Sequence, residues 1–268
     1  MLICLDIGNT HIHAGVFEGD ALRFQFRKST HPIGSSDELG VFFMAVLREN
    51  GIEPHSIDEV AICSVVPAVL YTVRSAAKKY FKKVPFVLQA GVKTGLKIRY
   101  RNPAEVGADR VANVMAARHR HPGVPLIVVD CGTATTLDVT TASGEYLGGA
   151  IIPGIGVSAE ALSSRTARLP SVEIEKPKSA LGRTTVESIQ SGLFHGQSGA
   201  IRELCGLLSQ EAFAGEKPIV IGTGGFSRLL EDAGLFDEIV PELVLEGIAL
   251  AHRMNREAMT PTDSRLPE

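Results

Sequence analysis

Leu2-Ile3-Cys4-Leu5-Asp6-Ile7-Gly8-Asn9-Thr10 opens the chain, and Leu126-Ile127-Val128-Val129-Asp130-Cys131-Gly132-Thr133 repeats its pattern. Each is an apolar strand ending in Asp-x-Gly and a small hydroxyl or amide residue. Asp6 to Asp130 and Gly8 to Gly132 both span 124 positions. The segments that follow also correspond. His11 to Phe17 alternates, Glu18-Gly19-Asp20 turns, and Ala21 to Phe26 alternates again. In the second copy Ala134 to Thr140 reads as a strand, Ser143-Gly144 as a turn, and Glu145 to Ile152 as a returning strand. Both copies therefore read as a strand followed by a hairpin. A repeat of this length is a duplicated domain and not a solenoid unit.

Working outward, Ser35-x-x-Glu38 is a capping box ahead of Leu39, Val41, Phe42, Met44, Ala45 and Leu47, and Gly51 supplies the stop. Strands are expected at Glu59 to Ser64 and Val84 to Leu88, with a helix at Ala68 to Phe81 between them. Pro103 to Arg120 reads as largely helical, and His121-Pro122-Gly123 as a linker. In the second half, helices are expected at Ala159 to Arg168, from Thr184-x-x-Glu187 towards Phe213, at Ser227 to Asp232, and from Glu242 to Met259. Lys217 to Ile221 reads as a strand and Gly222-Thr223-Gly224-Gly225 as a turn. The pattern predicts an α/β fold with two mixed sheets, each with helices on both faces. The expected domains are 1–121 and 122–259, with a frayed tail at 260–268.

Composition narrows the function classes. The 268 residues are 44% apolar and 21% charged, with a net charge of −3, so nothing points to a nucleic-acid or anionic-membrane partner. No apolar run approaches the roughly 18 residues a bilayer span needs, and Met1 to Leu5 is too short for a signal peptide. Cys4, Cys63, Cys131 and Cys205 are scattered and read as buried free thiols of a cytoplasmic protein. The chain has no GxxxxGK[ST] loop, no strand followed by GxGxxG, no HExxH or paired CxxC, and no GxSxG.

Asp-x-Gly turns can serve phosphate chemistry by another route. Glycine lets the backbone approach phosphate oxygens, and backbone N–H groups with Asn9, Thr10 and Thr133 side chains can donate to them. Asp6 can hold magnesium through water, because Mg²⁺ favours carboxylate and water ligands. Gly222 to Gly225 could let an adenosine lie against backbone, or could be a plain glycine turn.

Asp6-Ile-Gly-Asn-Thr10, Gly107-Ala-Asp-Arg110, Asp130-Cys-Gly-Thr-Ala-Thr135, Gly149-Ala-Ile-Ile-Pro-Gly154 and Gly182-Arg-Thr-Thr185 resemble, in order and spacing, the motifs of type III pantothenate kinases. The resemblance runs from the first residue to about Ala251. It implies duplicated ribonuclease H-like domains of the actin-like ATPase kind, and phosphorylation of pantothenate by ATP as the first step of coenzyme A synthesis. It implies that Asp6, Ile7, Gly8, Asn9, Thr10, His11, Ile12 and His13 form the first ATP loop and that Thr133 contacts ATP from the second. It makes Asp130 the holder of a monovalent cation, potassium or ammonium. It further implies that Tyr100, Gly107, Ala108, Asp109, Arg110 and Thr185 line the pantothenate pocket, with Asp109 as the general base. The family is homodimeric, and the apolar residues Ile189, Leu193, Phe194, Ile201 and Leu204 suggest an interface near the helix opening at Thr184.

Each position also has a plainer reading. Asp109 can be a first-turn acid favoured by the helix dipole, Thr185 an ordinary first-turn residue, Tyr100 a half-buried strand tyrosine, and His11 and His13 surface or core residues. Two other functions compete: another small-molecule kinase or phosphatase of the superfamily, and a non-catalytic regulatory relative. Gly-Ala-Asp-Arg argues against the first, and the intact Asp6, Asp109 and Asp130 argue against the second.

Overall fold

The computed structural model describes residues 1–256. The tail at 260–268 and the expected last turn at 257–259 lie outside the described residues. The elements in chain order are β1 (Leu2–Ile7), β2 (His11–Glu18), β3 (Ala21–Ser29), α1 (Ser36–Glu49), β4 (Glu59–Ser64), α2 (Pro67–Ala76) and β5 (Phe86–Leu88). Then come β6 (Lys97–Ile98), α3 (Ala108–Arg120), β7 (Leu126–Cys131), β8 (Ala134–Thr140), β9 (Glu145–Pro153), α4 (Ile155–Arg165), α5 (Thr185–Phe213), β10 (Ile219–Thr223), β11 (Glu238–Ile239) and α6 (Leu243–Asn255).

Two mixed sheets form. The first has the order β3-β2-β1-β4-β5, and the second β11-β10-β7-β8-β9-β6. Strands β1 and β7 each pair antiparallel with the hairpin that follows and parallel with a later strand, β4 and β10 respectively. The correspondence extends to an irregularity. Between β2 and β3 the register passes from Val16↔Phe24 to Phe17↔Leu22, leaving Arg23 as the extra residue. Between β8 and β9 it passes from Val139↔Gly148 to Thr140↔Tyr146, leaving Leu147 as the extra residue. Arg23 and Leu147 are again 124 positions apart. A bulge is a specific backbone feature that bends its strand, so its recurrence at the repeat interval supports duplication independently of the Asp-x-Gly motif.

The central strands are apolar on both faces because both faces are covered. In the first sheet Ile3, Leu5 and Ile7 join Phe43, Leu47 and Val73 in one cluster. In the second Ile127, Val129 and Leu137 join Phe194, Ile201 and Leu230. Strand β3 alternates half-buried and exposed residues, as expected of a strand with one covered face. The capping box of α1 is complete: Ser35 Oγ accepts from the Glu38 N–H, and the Glu38 carboxylate accepts from the Ser35 N–H.

Contacts group the described chain into two compact units. One comprises Met1–Gly95, Ala104–Ala116 and the chain from Val244, and the other Leu96–Pro103 and Ala117–Leu243. This differs from a division at 121 and 122, because two segments group away from their neighbours in sequence. Strand β6 pairs with β9, Lys97 opposite Glu145 and Ile98 opposite Tyr146. Helix α6 packs on α3, where Gly247 leaves no room for a Cβ beside the Ala112 carbonyl. The His121 to Gly123 turn falls inside the second unit.

Local departures from the sequence reading have physical causes. Helix α2 gives way at Ala77–Phe81 to a wider π turn, ended by Lys82 in the left-handed conformation at φ 57°. Helix α4 begins at Ile155 and stops at Arg165. The segment Arg228–Ala233 is a 3₁₀ turn and not an α-helix. The apolar residues of α5 face inward: Phe194, Ile201 and Leu204 join the second core, and Ile189 and Leu193 pack with Ile155. They do not form an open face.

Candidate active site

The first loop grows out of β1. Ile7 and Ile12 pair across β1 and β2 and are fully buried, so they anchor the turn while Asn9, Thr10 and His11 are exposed. The Gly8 N–H donates to the His11 carbonyl at 3.0 Å. Thr30, just past β3, braces the loop: its N–H donates to the Thr10 carbonyl at 2.9 Å and its hydroxyl to the Gly8 carbonyl at 2.7 Å. His13 is turned into the protein, with Nε2 and Gln25 Oε1 2.8 Å apart.

The second loop has the same construction. The Gly132 N–H donates to the Ala134 carbonyl and the Gly154 N–H to the Thr133 carbonyl, both at 3.1 Å. Thr133 and Ala134 are exposed. Gly154 sits against the carbonyls of Gly132 and Thr133, where a Cβ would collide, and Gly149 sits equally tightly against the Leu137 backbone. The two ends of the Gly149-to-Gly154 motif are thus fixed by close backbone approach. Gly224, at φ 84°, lies against Asp130 Oδ1 and the Cys131 backbone, and Gly222 faces the Phe236 ring. Those packings account for two glycines of the Gly222-to-Gly225 turn without an adenosine.

The Gly107-to-Arg110 segment opens α3 in the first unit. The Gly107 carbonyl accepts from the Val111 N–H at 3.1 Å. Asp109 Oδ1 accepts from the Arg110 N–H at 2.8 Å and occupies the space a Cβ on Gly107 would need. Ala108 begins the helix, and Arg110 is buried. Cys63 pairs in register with Asp6 across β1 and β4, and its thiol is raised well above the ordinary range, by burial first and then by the negative charges of Asp6 and Asp109. In the second unit the residue paired with Asp130 on β10 is Thr223. Burial, with Asp130 adding to it, pushes the Cys131 thiol up to about 12. These thiols stay protonated and add no charge beside the acids.

Tyr100 and Thr185 belong to the second unit. The Tyr100 ring lies 6.4 Å from that of Tyr146 and packs on Gly148. Tyr146 is fully buried, and its hydroxyl donates to Asp138 at 2.6 Å, with Thr136 donating to the other carboxylate oxygen at 3.1 Å. Thr185 is the exposed first residue of α5. Thr184 caps that helix by accepting from the Glu187 N–H, while the Glu187 carboxylate accepts from Arg183 and not from the cap residue. Gly182 packs directly on the Glu187–Ser188 backbone.

Sequence reasoning missed Thr30, Cys63 and the Asp138–Tyr146 pair. Thr30 lies in an unremarked turn, and only the folded hairpin brings it to Gly8 and Thr10. The register of Cys63 opposite Asp6 was available once β1 and β4 were paired as parallel neighbours. Among the described residues no cluster of three or more His, Cys, Asp or Glu side chains is arranged to hold a metal ion, and no helix is long and apolar enough to cross a membrane.

A duplicated mixed sheet whose two central strands each end in an acid and a glycine turn is the actin-like ATPase and sugar-kinase architecture. A Sinorhizobium meliloti protein described as a 2-dehydro-3-deoxygalactonokinase superposes with a TM-score of 0.57 at 12% identity, over 97% of this chain and all of that one. A Campylobacter jejuni protein described as a Baf family transcriptional activator superposes at 0.60 and 18% identity, over 95% and 99%. These likenesses concern the fold alone. The type III pantothenate kinase family model matches residues 2–206. A type III pantothenate kinase of Legionella pneumophila (strain Corby) is 55% identical over 95% of this chain and 99% of its own length, and one of Elusimicrobium minutum is 46% identical over 96% and 99%. The chain belongs to the type III pantothenate kinase family.

Proposed function

We propose that the protein transfers the γ-phosphoryl group of ATP to the primary hydroxyl of pantothenate, giving 4'-phosphopantothenate for coenzyme A synthesis. The observation that carries this reading is the family membership, together with Asp109 held at the start of α3 against Gly107. Phosphoryl transfer to an alcohol needs positioning, charge neutralisation and an acceptor for the hydroxyl proton. Asp109, held at the start of α3 with room made by Gly107, is the proposed general base. Arg110, Tyr100 and Thr185 are the proposed pantothenate contacts. The exposed residues of the two glycine loops are the proposed phosphate contacts, with Asn9, Thr10 and His11 in the first and Thr133 in the second, and Gly8 shapes the first loop. Ile7, Ile12 and His13 support the first loop from behind.

The donor chemistry fits the cations the family implies. Gly132 and Gly224 both pack beside Asp130 Oδ1, and a carboxylate oxygen suits a hard monovalent cation. Asp6 offers one carboxylate, so magnesium would be held chiefly by water and phosphate oxygens, as is usual for that ion. When bound, these ions supply positive charge against the phosphate oxygens. The finer reading also includes a homodimer and a cytoplasmic location. Leu181 and Val186, which flank Thr185, are exposed at 74% and 42%, which supports an interface there. The cysteines are all free thiols, which suits a reducing compartment.

A panel of phosphoryl acceptors, alcohols and acetate, read by ADP release tests the substrate. Release dependent on pantothenate, with sugars and acetate inert, is expected; a sugar preferred over pantothenate overturns the assignment.

A further inference from the structure

We propose that Thr30 is the positioning residue of the first phosphate loop, aiming the N–H groups of Asn9 and His11 at the phosphate oxygens of ATP. The proposal rests on the reading of residues 6–13 as the ATP loop. Thr30 is fully buried, yet both of its polar donors are spent on that loop: the hydroxyl on the Gly8 carbonyl at 2.7 Å and the N–H on the Thr10 carbonyl at 2.9 Å. In a trans peptide the carbonyl and the following N–H point in opposite directions. Drawing the Gly8 carbonyl toward Thr30 therefore turns the Asn9 N–H away from it. Drawing the Thr10 carbonyl inward does the same for the His11 N–H. Asn9, Thr10 and His11 are exposed, so the amides turned away from Thr30 are on the side a ligand can reach.

The duplicate loop supplies an internal comparison. Gly154 occupies the position 124 residues after Thr30, and its N–H makes the matching bond to the Thr133 carbonyl. No side chain fits there, because a Cβ would strike the carbonyls of Gly132 and Thr133. The backbone bond is thus common to both halves, and the hydroxyl latch belongs to the first loop alone. Thr30 touches no reacting group in this account. It acts through the orientation of the peptides on which ATP rests.

The test compares Thr30→Val, which keeps shape and loses the donor, with Thr30→Ser, which keeps the donor. Losing one neutral hydrogen bond predicts a rise in the KM for ATP on the order of 2- to 13-fold in Thr30→Val. The KM for pantothenate should stay within about twofold, and Thr30→Ser should return the ATP KM to within about threefold of wild type. A folded Thr30→Val with wild-type ATP KM, a parallel rise in both KM values, or a Thr30→Ser as impaired as Thr30→Val overturns the proposal. Hydrogen exchange on the unmodified protein decides the matter if Thr30→Val does not fold. Slower exchange at the Asn9 and His11 amides on adding a non-hydrolysable ATP analogue is expected, and unchanged exchange there contradicts the role. That measurement needs binding but no turnover, so it separates failure of the latch from failure of the pantothenate reading. A wild-type protein inert towards pantothenate would sink the latter alone.

Discussion

At the scale of single residues, chemistry follows from where a carboxylate is held. Asp109 sits in the first turn of α3, where its charge also favours the helix dipole, worth at most about 1 kcal/mol on an exposed helix. The two roles separate on one variant. Asp109→Asn is nearly isosteric but cannot accept a proton, so kcat should fall by about 10² to 10⁴, with ATP affinity and melting temperature little changed. Near-normal turnover with a slightly lower melting temperature would make Asp109 a structural acid. The residue types were legible in the sequence, since Asp-x-Gly twice over and Gly-Ala-Asp-Arg announce acids beside glycine turns. Their mutual placement was not. That Cys63 lies opposite Asp6 depends on β1 and β4 pairing across more than fifty residues of chain. That His13 bonds Gln25 depends on the β2–β3 hairpin.

At the scale of elements, the segments with a strong period were legible nearly to the residue: β4, β8 and the long α5 fall where alternation and capping placed them. The two-residue strands β6 and β11 have no period to read and exist only because an edge of the second sheet accepts them. The caps give a direct test. Ser35→Ala removes the acceptor that the Glu38 N–H uses and should cost about 1 kcal/mol, a fall in melting temperature of about 2–4 °C for a chain of this size, with kinetics unchanged. Unaltered melting would show that tertiary packing alone holds the start of α1. Gly154→Ala should behave differently. Its Cβ presses on the carbonyls of the second loop, so overpacking of about 1–3 kcal/mol should appear together with a raised KM for ATP. Loss of stability with an unchanged ATP KM would disconnect that loop from the nucleotide.

At the scale of the whole molecule, the duplication was the feature most open to reading, because an interval of 124 residues between like motifs survives in the sequence. The bulges at Arg23 and Leu147 repeat that interval without any sequence likeness, as backbone geometry does when side chains diverge. The composition of the two units was hidden, since no local pattern says that α6 groups with the first. Turnover should require potassium or ammonium, and sodium should not substitute; Asp130→Ala should abolish that dependence. Full activity in sodium-only buffer would remove Asp130 from the cation role. The account's central claim is transfer to pantothenate, and γ-labelled ATP tests it most directly. With wild-type protein, magnesium and potassium, the label should pass to a phosphate ester of pantothenate, at a rate that saturates with pantothenate. Label recovered only as inorganic phosphate, at a rate indifferent to pantothenate, would contradict it.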